Sequence, residues 1–237
     1  QTLFKRYAKN IIIPSQYTLE EFEYLKLNKF ECTEKIDGTN IHIDIIPIID
    51  TDKDEVVDYK MNFCGRTEKA EIPSHLAVKL KSLFDKDVLV SYFFKDKEPC
   101  PICIYGEGYG MKIQKGGNYI KDDVDFILFD IKVGKWWLNR QSLEQIAKDL
   151  NINIVPLIGY MTIPEAIEYV KKGFKSIIAE NKDYDADGLV LKTPNGLLLR
   201  NGERIILKIK TCDFRKFKEV YGENYTGEQP KSELYKE

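Results

Sequence analysis

The chain has 237 residues, enough for one large domain or two small ones, and 43% of them are hydrophobic, which excludes general disorder. With 36 Lys and Arg against 38 Asp and Glu the net charge is −2, which excludes a uniformly basic nucleic-acid coat, so any polyanion must be met by a local patch. No run of about 18 apolar residues is present and no secretory pattern opens the sequence, so neither a membrane-spanning helix nor export is expected.

Residues 19–27 suggest a short helix. Ile41–Ile46 reads as a strand, and the acidic run Asp50–Asp58 as a loop or hairpin tip. Ser74 is placed to cap a helix that carries Leu76, Leu80, Leu83 and Phe84 on one side. Val88–Phe94, Ile102–Tyr105 and Phe126–Ile131 are short, apolar and read as strands. Of the adjacent Trp136 and Trp137, one is expected in the core and one at the surface. Asn139 caps a helix with Leu143, Ile146, Ala147 and Leu150 at helical spacing. Another helix begins near Pro164, uses Ala166, Ile167 and Val170, and stops at Gly173. Gly188–Lys192, Leu197–Arg200 and Ile205–Ile209 read as strands joined by turns at Pro194-Asn195-Gly196 and Asn201-Gly202. The tail from Arg215 to Tyr221 has a helical pattern. The expected architecture is α+β, with antiparallel sheets flanked by helices in one domain over residues 1–237.

Several chemistries lack their residues. There is no phosphate-binding G-x-x-x-x-G-K-[ST] loop, and Gly106-Glu107-Gly108-Tyr109-Gly110 has the wrong spacing for a dinucleotide fingerprint. With only His42 and His75, little His-based catalysis is available. The five Cys, at 32, 64, 100, 103 and 212, form no disulfide framework, which suits a reducing cytoplasm. Cys100 and Cys103 make a single C-x-x-C, read as two half-buried thiols because a zinc site needs a second pair.

The informative segment is Glu34-Lys35-Ile36-Asp37-Gly38-Thr39-Asn40. Lys35 lies at a strand–turn–strand junction, where Gly38 is expected to supply backbone freedom and Asp37 to fix the turn. A Lys amine becomes a nucleophile when nearby positive charge and desolvation favour its neutral form. Arg66, Lys192, Lys208 and Lys210 are the candidate cations. Lys208 and Lys210 alternate on one strand, so both amines share a face and suit a phosphate clamp.

In order along the chain, Lys35-Ile36-Asp37-Gly38-Thr39-Asn40, Gly65-Arg66-Thr67, Tyr105-Gly106-Glu107, Ile113-Gln114-Lys115, Phe129-Asp130, Asp187-Gly188-Leu189-Val190-Leu191-Lys192 and Lys208-Ile209-Lys210 resemble the motifs of the covalent nucleotidyltransferases. The resemblance is greatest to the ATP-dependent RNA ligases that seal nicks in duplexes. It implies an ATP-grasp-like nucleotidyltransferase domain, ATP as co-substrate, AMP carried covalently on Lys35, and Mg2+ or Mn2+. Catalytic roles fall to Lys35, Arg66, Lys208 and Lys210. Glu34, Ile36, Asn40, Glu107, Phe129 and Lys192 would bind the nucleotide, with Glu107 on a ribose hydroxyl and Phe129 stacked on adenine. The glycines beside Glu107 would let a ligand approach the backbone.

Asp187 is the implied metal ligand, and here the sequence departs from the ligase pattern, which has Glu; capping enzymes have Asp. A GTP-dependent mRNA capping guanylyltransferase is therefore an alternative, although Thr39-Asn40 stands where capping enzymes carry Arg after the glycine. A non-catalytic module that binds nucleic-acid ends is another. The implied partners are RNA ends or a nicked duplex, with no membrane and no required protein partner. No separate C-terminal oligonucleotide-binding or helical domain is expected after Lys210. Lys208, Lys210, Arg215, Lys216 and Lys218 form a basic stretch suited to a strand backbone.

Overall fold

The computed structural model describes residues 1–8, 11–67, 70–95, 97–114 and 119–214. The predicted tail helix at 215–221, and Lys115, Arg215, Lys216 and Lys218, lie outside the described residues. From the N-terminus come strands β1 (Phe4–Ala8) and β2 (Ile11–Tyr17), helix α1 (Glu21–Leu25) and strand β3 (Phe30–Glu34). A long hairpin follows, β4 (Thr39–Asp50) with β5 (Glu55–Gly65), then helices α2 (Ser74–Leu83) and α3 (Lys86–Phe94). Strands β6 (Ile102–Gly110), β7 (Val124–Val133) and the short β8 (Trp136–Trp137) lead to helix α4 (Arg140–Asp149). The remainder holds β9 (Asn153–Ile154), β10 (Leu157–Met161), helix α5 (Ile163–Lys172), β11 (Gly188–Lys192) and β12 (Ile206–Lys210).

Contacts divide the chain into two compact units. One comprises Gln1–Lys35, Leu157–Ser176 and the chain from Asp185 onward; the other comprises Ile36–Pro156 and Ile177–Tyr184. The chain first passes from one to the other between Lys35 and Ile36.

The first unit is built on an antiparallel sheet in the order β10-β3-β11-β12, beside the small β1-β2 hairpin. One sheet face carries Phe30, Cys32, Leu189, Leu191, Leu207 and Ile209, all buried. Helix α5 packs with them through Ile163, Ala166 and Val170, each fully buried. Its ends are well specified. Thr162 accepts from the Glu165 N–H while the Glu165 carboxylate accepts from the Thr162 N–H, Pro164 lies in the first turn, and Gly173 closes the helix at φ +74°.

The second unit is built on a sheet in the order β5-β4-β6-β7-β8, with β9 added in parallel to β7. Alternation places Ile41, Ile43 and Ile45 of β4 on one face, each fully buried, and Asn40, His42 and Asp44 on the other. The apolar face meets α2 through Leu76 and Leu80, and α4 through Leu143, Ile146 and Ala147. Burying each such large aliphatic side chain stabilises by about 1.5–3 kcal/mol. The Asn139 side chain accepts from the Ser142 N–H and starts α4 as its sequence predicts.

Four local expectations are corrected. Val88–Phe94 is helix α3 and not a strand. The Asp85 carboxylate accepts from the Asp87 and Val88 N–H groups, and buried Leu89, Phe93 and Phe94 sit at helical spacing. Leu197–Arg200 forms only an isolated bridge, Leu198 with Arg204, and the 42% and 57% exposure of Leu197 and Leu198 shows that no core draws them into a ladder. Ser74 is the first residue of α2 and makes no capping hydrogen bond. The acidic tip is narrower than expected: β4 runs to Asp50 and β5 starts at Glu55, and Asp54 turns the chain at φ +53°. Trp136 is 78% exposed, whereas Trp137 is half-buried and packs its ring 5.3 Å from Tyr105.

Candidate active site

The candidate residues fall into two groups, one in each unit. In the first, Lys35 directly follows β3, and its Nζ forms an ion pair with Asp187 Oδ2. The lysine side chain is 13% exposed and the aspartate 20%, so the pair is largely shielded from water while remaining reachable. The backbone fixes both ends. The Lys35 N–H donates to the Gly188 carbonyl at 2.9 Å, and the Thr211 N–H donates to the Asp187 carbonyl at 2.9 Å. Gly188 is required here: its φ is +149°, and a Cβ would lie 2.0 Å from the Ile209 carbonyl oxygen.

Register places Lys210 opposite Gly188, Lys208 opposite Val190 and Lys192 opposite Glu31. Alternation sets Lys192, Lys208 and Lys210 on the face away from the buried leucines. With strands about 4.8 Å apart, the Lys35 and Lys210 backbones are about 10 Å apart across Gly188. Of the four cations expected near Lys35, these three share its sheet; Arg66 belongs to the other unit. Glu34 is 1% exposed, and the Ser176 hydroxyl donates to its Oε1 at 2.5 Å.

In the second unit, Asn40 of β4 pairs directly with Glu107 of β6. Glu107 projects from the sheet face that Asn40 shares, opposite to buried Ile41 and Ile104. The glycines beside it serve another purpose than expected. A Cβ on Gly106 would lie 2.1 Å from Phe126 Cζ, and one on Gly108 2.4 Å from a Leu76 methyl. They make room for the protein's own core.

Gly38 is corrected in the same way. It is absent from the glycines of positive φ, and its hydrogen faces β6: a Cβ would lie 2.3 Å from the Gly108 carbonyl oxygen. Two contacts that the sequence did not reveal pin this segment. The Tyr119 hydroxyl accepts from the Asp37 N–H at 3.0 Å, and Gln114 Nε2 donates to the Gly38 carbonyl at 3.1 Å. The Ile113-Gln114 motif carried a signal for the second; nothing marked Tyr119, which is fully buried. Ile36 is buried in a small cluster with Tyr109, Tyr119 and Ile127.

Phe129 packs half-buried against that cluster. It is the extra residue of a β7 bulge: Tyr105 pairs with Asp130 and Gly106 with Leu128, leaving Phe129 opposite none. Such a bulge re-aims a side chain without breaking the sheet. Arg66 is exposed immediately after the last residue of β5.

The RNA ligase family model matches residues 28–210, which spans every candidate residue above. No curated protein matches the chain significantly in sequence. Among solved structures it resembles an RNA ligase of Naegleria gruberi in several forms. A variant with AMP and Mn aligns over 91% of this chain and 59% of its own at 20% identity, with a TM-score of 0.59. A variant with ATP and Mn aligns over 92% and 59% at 21% identity, TM-score 0.58, and the enzyme with PPi over 93% and 59% at 20% identity, TM-score 0.58. The likeness shows a shared α+β nucleotidyltransferase fold, and the chain spans about three-fifths of the length of those ligases.

Proposed function

The chain belongs to the RNA ligase family, and from that premise we propose that it is an ATP-dependent RNA ligase that works through AMP carried on Lys35. The observation that carries this reading is the Lys35 nitrogen, held by Asp187 on a sheet that also presents Lys192, Lys208 and Lys210. A shielded amine on a sheet whose same face carries three cations suits attack on a phosphate.

Three exchanges at phosphorus follow. The Lys35 amine, having lost its proton, attacks the α-phosphorus of ATP; a P–N bond forms and the bond to pyrophosphate breaks. An oxygen of a 5′-phosphate on an RNA strand then attacks the AMP phosphorus and releases Lys35. Last, a 3′-hydroxyl attacks the activated 5′-phosphorus, loses its proton, and expels AMP. Each transition state gathers negative charge on phosphate oxygens, and Lys192, Lys208 and Lys210 meet it with fixed positive charge. Arg66 offers a planar fork for two such oxygens. Glu107 accepts from a ribose hydroxyl, with Asn40 beside it, and Phe129 supplies an aromatic face for adenine. Glu34 and Ile36, both buried, shape the segment around Lys35 instead of presenting free polar atoms.

A divalent metal fits Asp187. Its hard carboxylate oxygens suit an octahedral, largely water-ligated Mg2+ or Mn2+, and its side chain is accessible enough to be reached. When bound, the ion adds positive charge for phosphate oxygens. RNA ends or a nicked duplex are the proposed partners. No helix among the described residues is long and apolar enough to cross a membrane.

The test is mass spectrometry of the intact chain after incubation with ATP and Mg2+. One added AMP that maps to Lys35 and is absent from Lys35→Ala supports the reading. An adduct formed only with GTP would replace it with guanylyl transfer, and no adduct with either nucleotide would leave an end-binding module.

A further inference from the structure

The polar face of the second unit carries a second constellation, on the strands that bear Asn40 and Glu107. His42 of β4 lies between Cys64 of β5 and Tyr105 of β6, and the next residue on that face, Asp44, lies between Asn62 and Cys103. His42 Nε2 is 3.6 Å from Asp44 Oδ2, and Cys64 Sγ is 3.9 Å from the same oxygen. One ligand atom from each of His42, Asp44 and Cys64 falls within 4.8 Å of the others. A tetrahedral zinc, with bonds of about 2.0–2.3 Å to nitrogen, oxygen and sulfur, has ligand–ligand edges of roughly 3.3–3.8 Å. The observed separations need only a small contraction around an ion.

We propose that His42, Asp44, Cys64 and Cys103 form a site for a divalent metal of the zinc class, separate from the metal proposed at Asp187. The donor set selects the ion: two sulfurs and an imidazole suit Zn2+, whereas Mg2+ prefers oxygen alone. Cys103 faces Asp44 across the ladder, outside the three residues whose ligand atoms already cluster, and would draw in to complete the tetrahedron. His42 and Asp44 side chains are 24% and 27% exposed, which leaves an entry path. The ligands come from three strands, so no C-x-x-C or H-x-x-x-H spacing announces them. Cys64 and Cys103 are 39 residues apart in sequence (103 − 64) yet flank the same strand. A metal here would clamp β5, β4 and β6 together one or two rungs from Asn40 and Glu107.

Cobalt(II) titration of the full chain, freed of metal and kept reduced with a phosphine, tests the site. One equivalent should bind with the intense visible bands of tetrahedral cobalt and a thiolate charge-transfer band, and Zn2+ should displace it. Cys64→Ser and His42→Ala should weaken binding at least about 10-fold. Cys103→Ser should remove about half of the charge-transfer intensity, and Cys100→Ser, outside the cluster, should change neither. Absence of a stoichiometric tetrahedral cobalt spectrum in the unaltered chain overturns the proposal whatever the variants do. So does a spectrum that Cys64→Ser and Cys103→Ser leave intact. Nucleotide transfer is not the readout, so failure here is distinct from failure of the ligase reading.

Discussion

Lys35 and Asp187 form an ion pair although 152 residues separate them in sequence. The contact depends on antiparallel pairing of β3 with β11 and on the Gly188 carbonyl, which accepts from the Lys35 N–H. The strand pairing thus brings the short Asp187 carboxylate to the lysine. In the reaction proposed above the amine would lose its proton and leave this partner before attack, which makes the pair a resting arrangement.

Removing the carboxylate should therefore impair the first step. Asp187→Ala is expected to lower the rate of AMP attachment about 10-fold or more, and Lys35→Ala and Lys35→Arg are expected to abolish it. Asp187→Glu should retain more activity than Asp187→Ala, because the longer side chain can still reach Lys35. Single-turnover labelling with ATP reads all four. Equal rates for Asp187→Ala and the unaltered chain would refute a positioning role.

The glycines give a test of packing against freedom. Gly38 and Gly106 need no left-handed conformation, yet an added methyl would sit 2.3 Å from the Gly108 oxygen and 2.1 Å from the Phe126 ring. Ala at either position should destabilise by about 1–3 kcal/mol, as overpacking does. Gly38→Ala should in addition slow AMP attachment, since it displaces the segment bearing Lys35. Chemical denaturation and labelling of both variants separate the two effects.

These glycines also mark what the sequence could convey. Helices α4 and α5 were legible because their caps and apolar spacing are local: Asn139, Pro164 and Gly173 sit within the elements they bound. Helix α3 was misread because Val88, Leu89, Val90 and Phe93 look like a buried strand; the Asp85 cap was the overlooked local signal. Strand β5 hid behind its polar residues, since only its pairing with β4 makes Glu55–Gly65 extended. The motif residues could be found by order along the chain. Their partners could not, because Ser176 on Glu34 and Tyr119 on Asp37 arise from packing between distant segments.

Thiol chemistry supplies a pH dependence. Burial pushes Cys32 up to about 12 from an ordinary value of 9.0, and it is fully inaccessible. The folded state thus keeps the proton that the unfolded chain releases above about pH 9, so this group's contribution to stability is present below pH 9 and is lost as pH rises toward about 12. Denaturation midpoints measured from pH 8 to 10.5 should fall, and Cys32→Ala should reduce that slope. Alkylation of Cys32 in the native protein should be far slower than in urea; equal rates would contradict its burial.

The phosphate clamp proposed on β12 can be tested by its geometry. Lys208 and Lys210 point to one face, and Ile209 between them is 2% exposed in the core. Lys210, paired with Gly188 next to the nucleophile, should matter most for AMP attachment: Lys210→Ala is expected to cost about 100-fold, on the scale of removing a group that stabilises developing charge. Lys208, one rung further and exposed, should have a smaller effect on that step. Both variants should keep near-native stability, because neither side chain is in the core, whereas Ile209→Ala should lose about 2–5 kcal/mol. Labelling rates and urea midpoints for the three variants distinguish a catalytic face from an ordinary solvated strand, which predicts little rate change for either lysine.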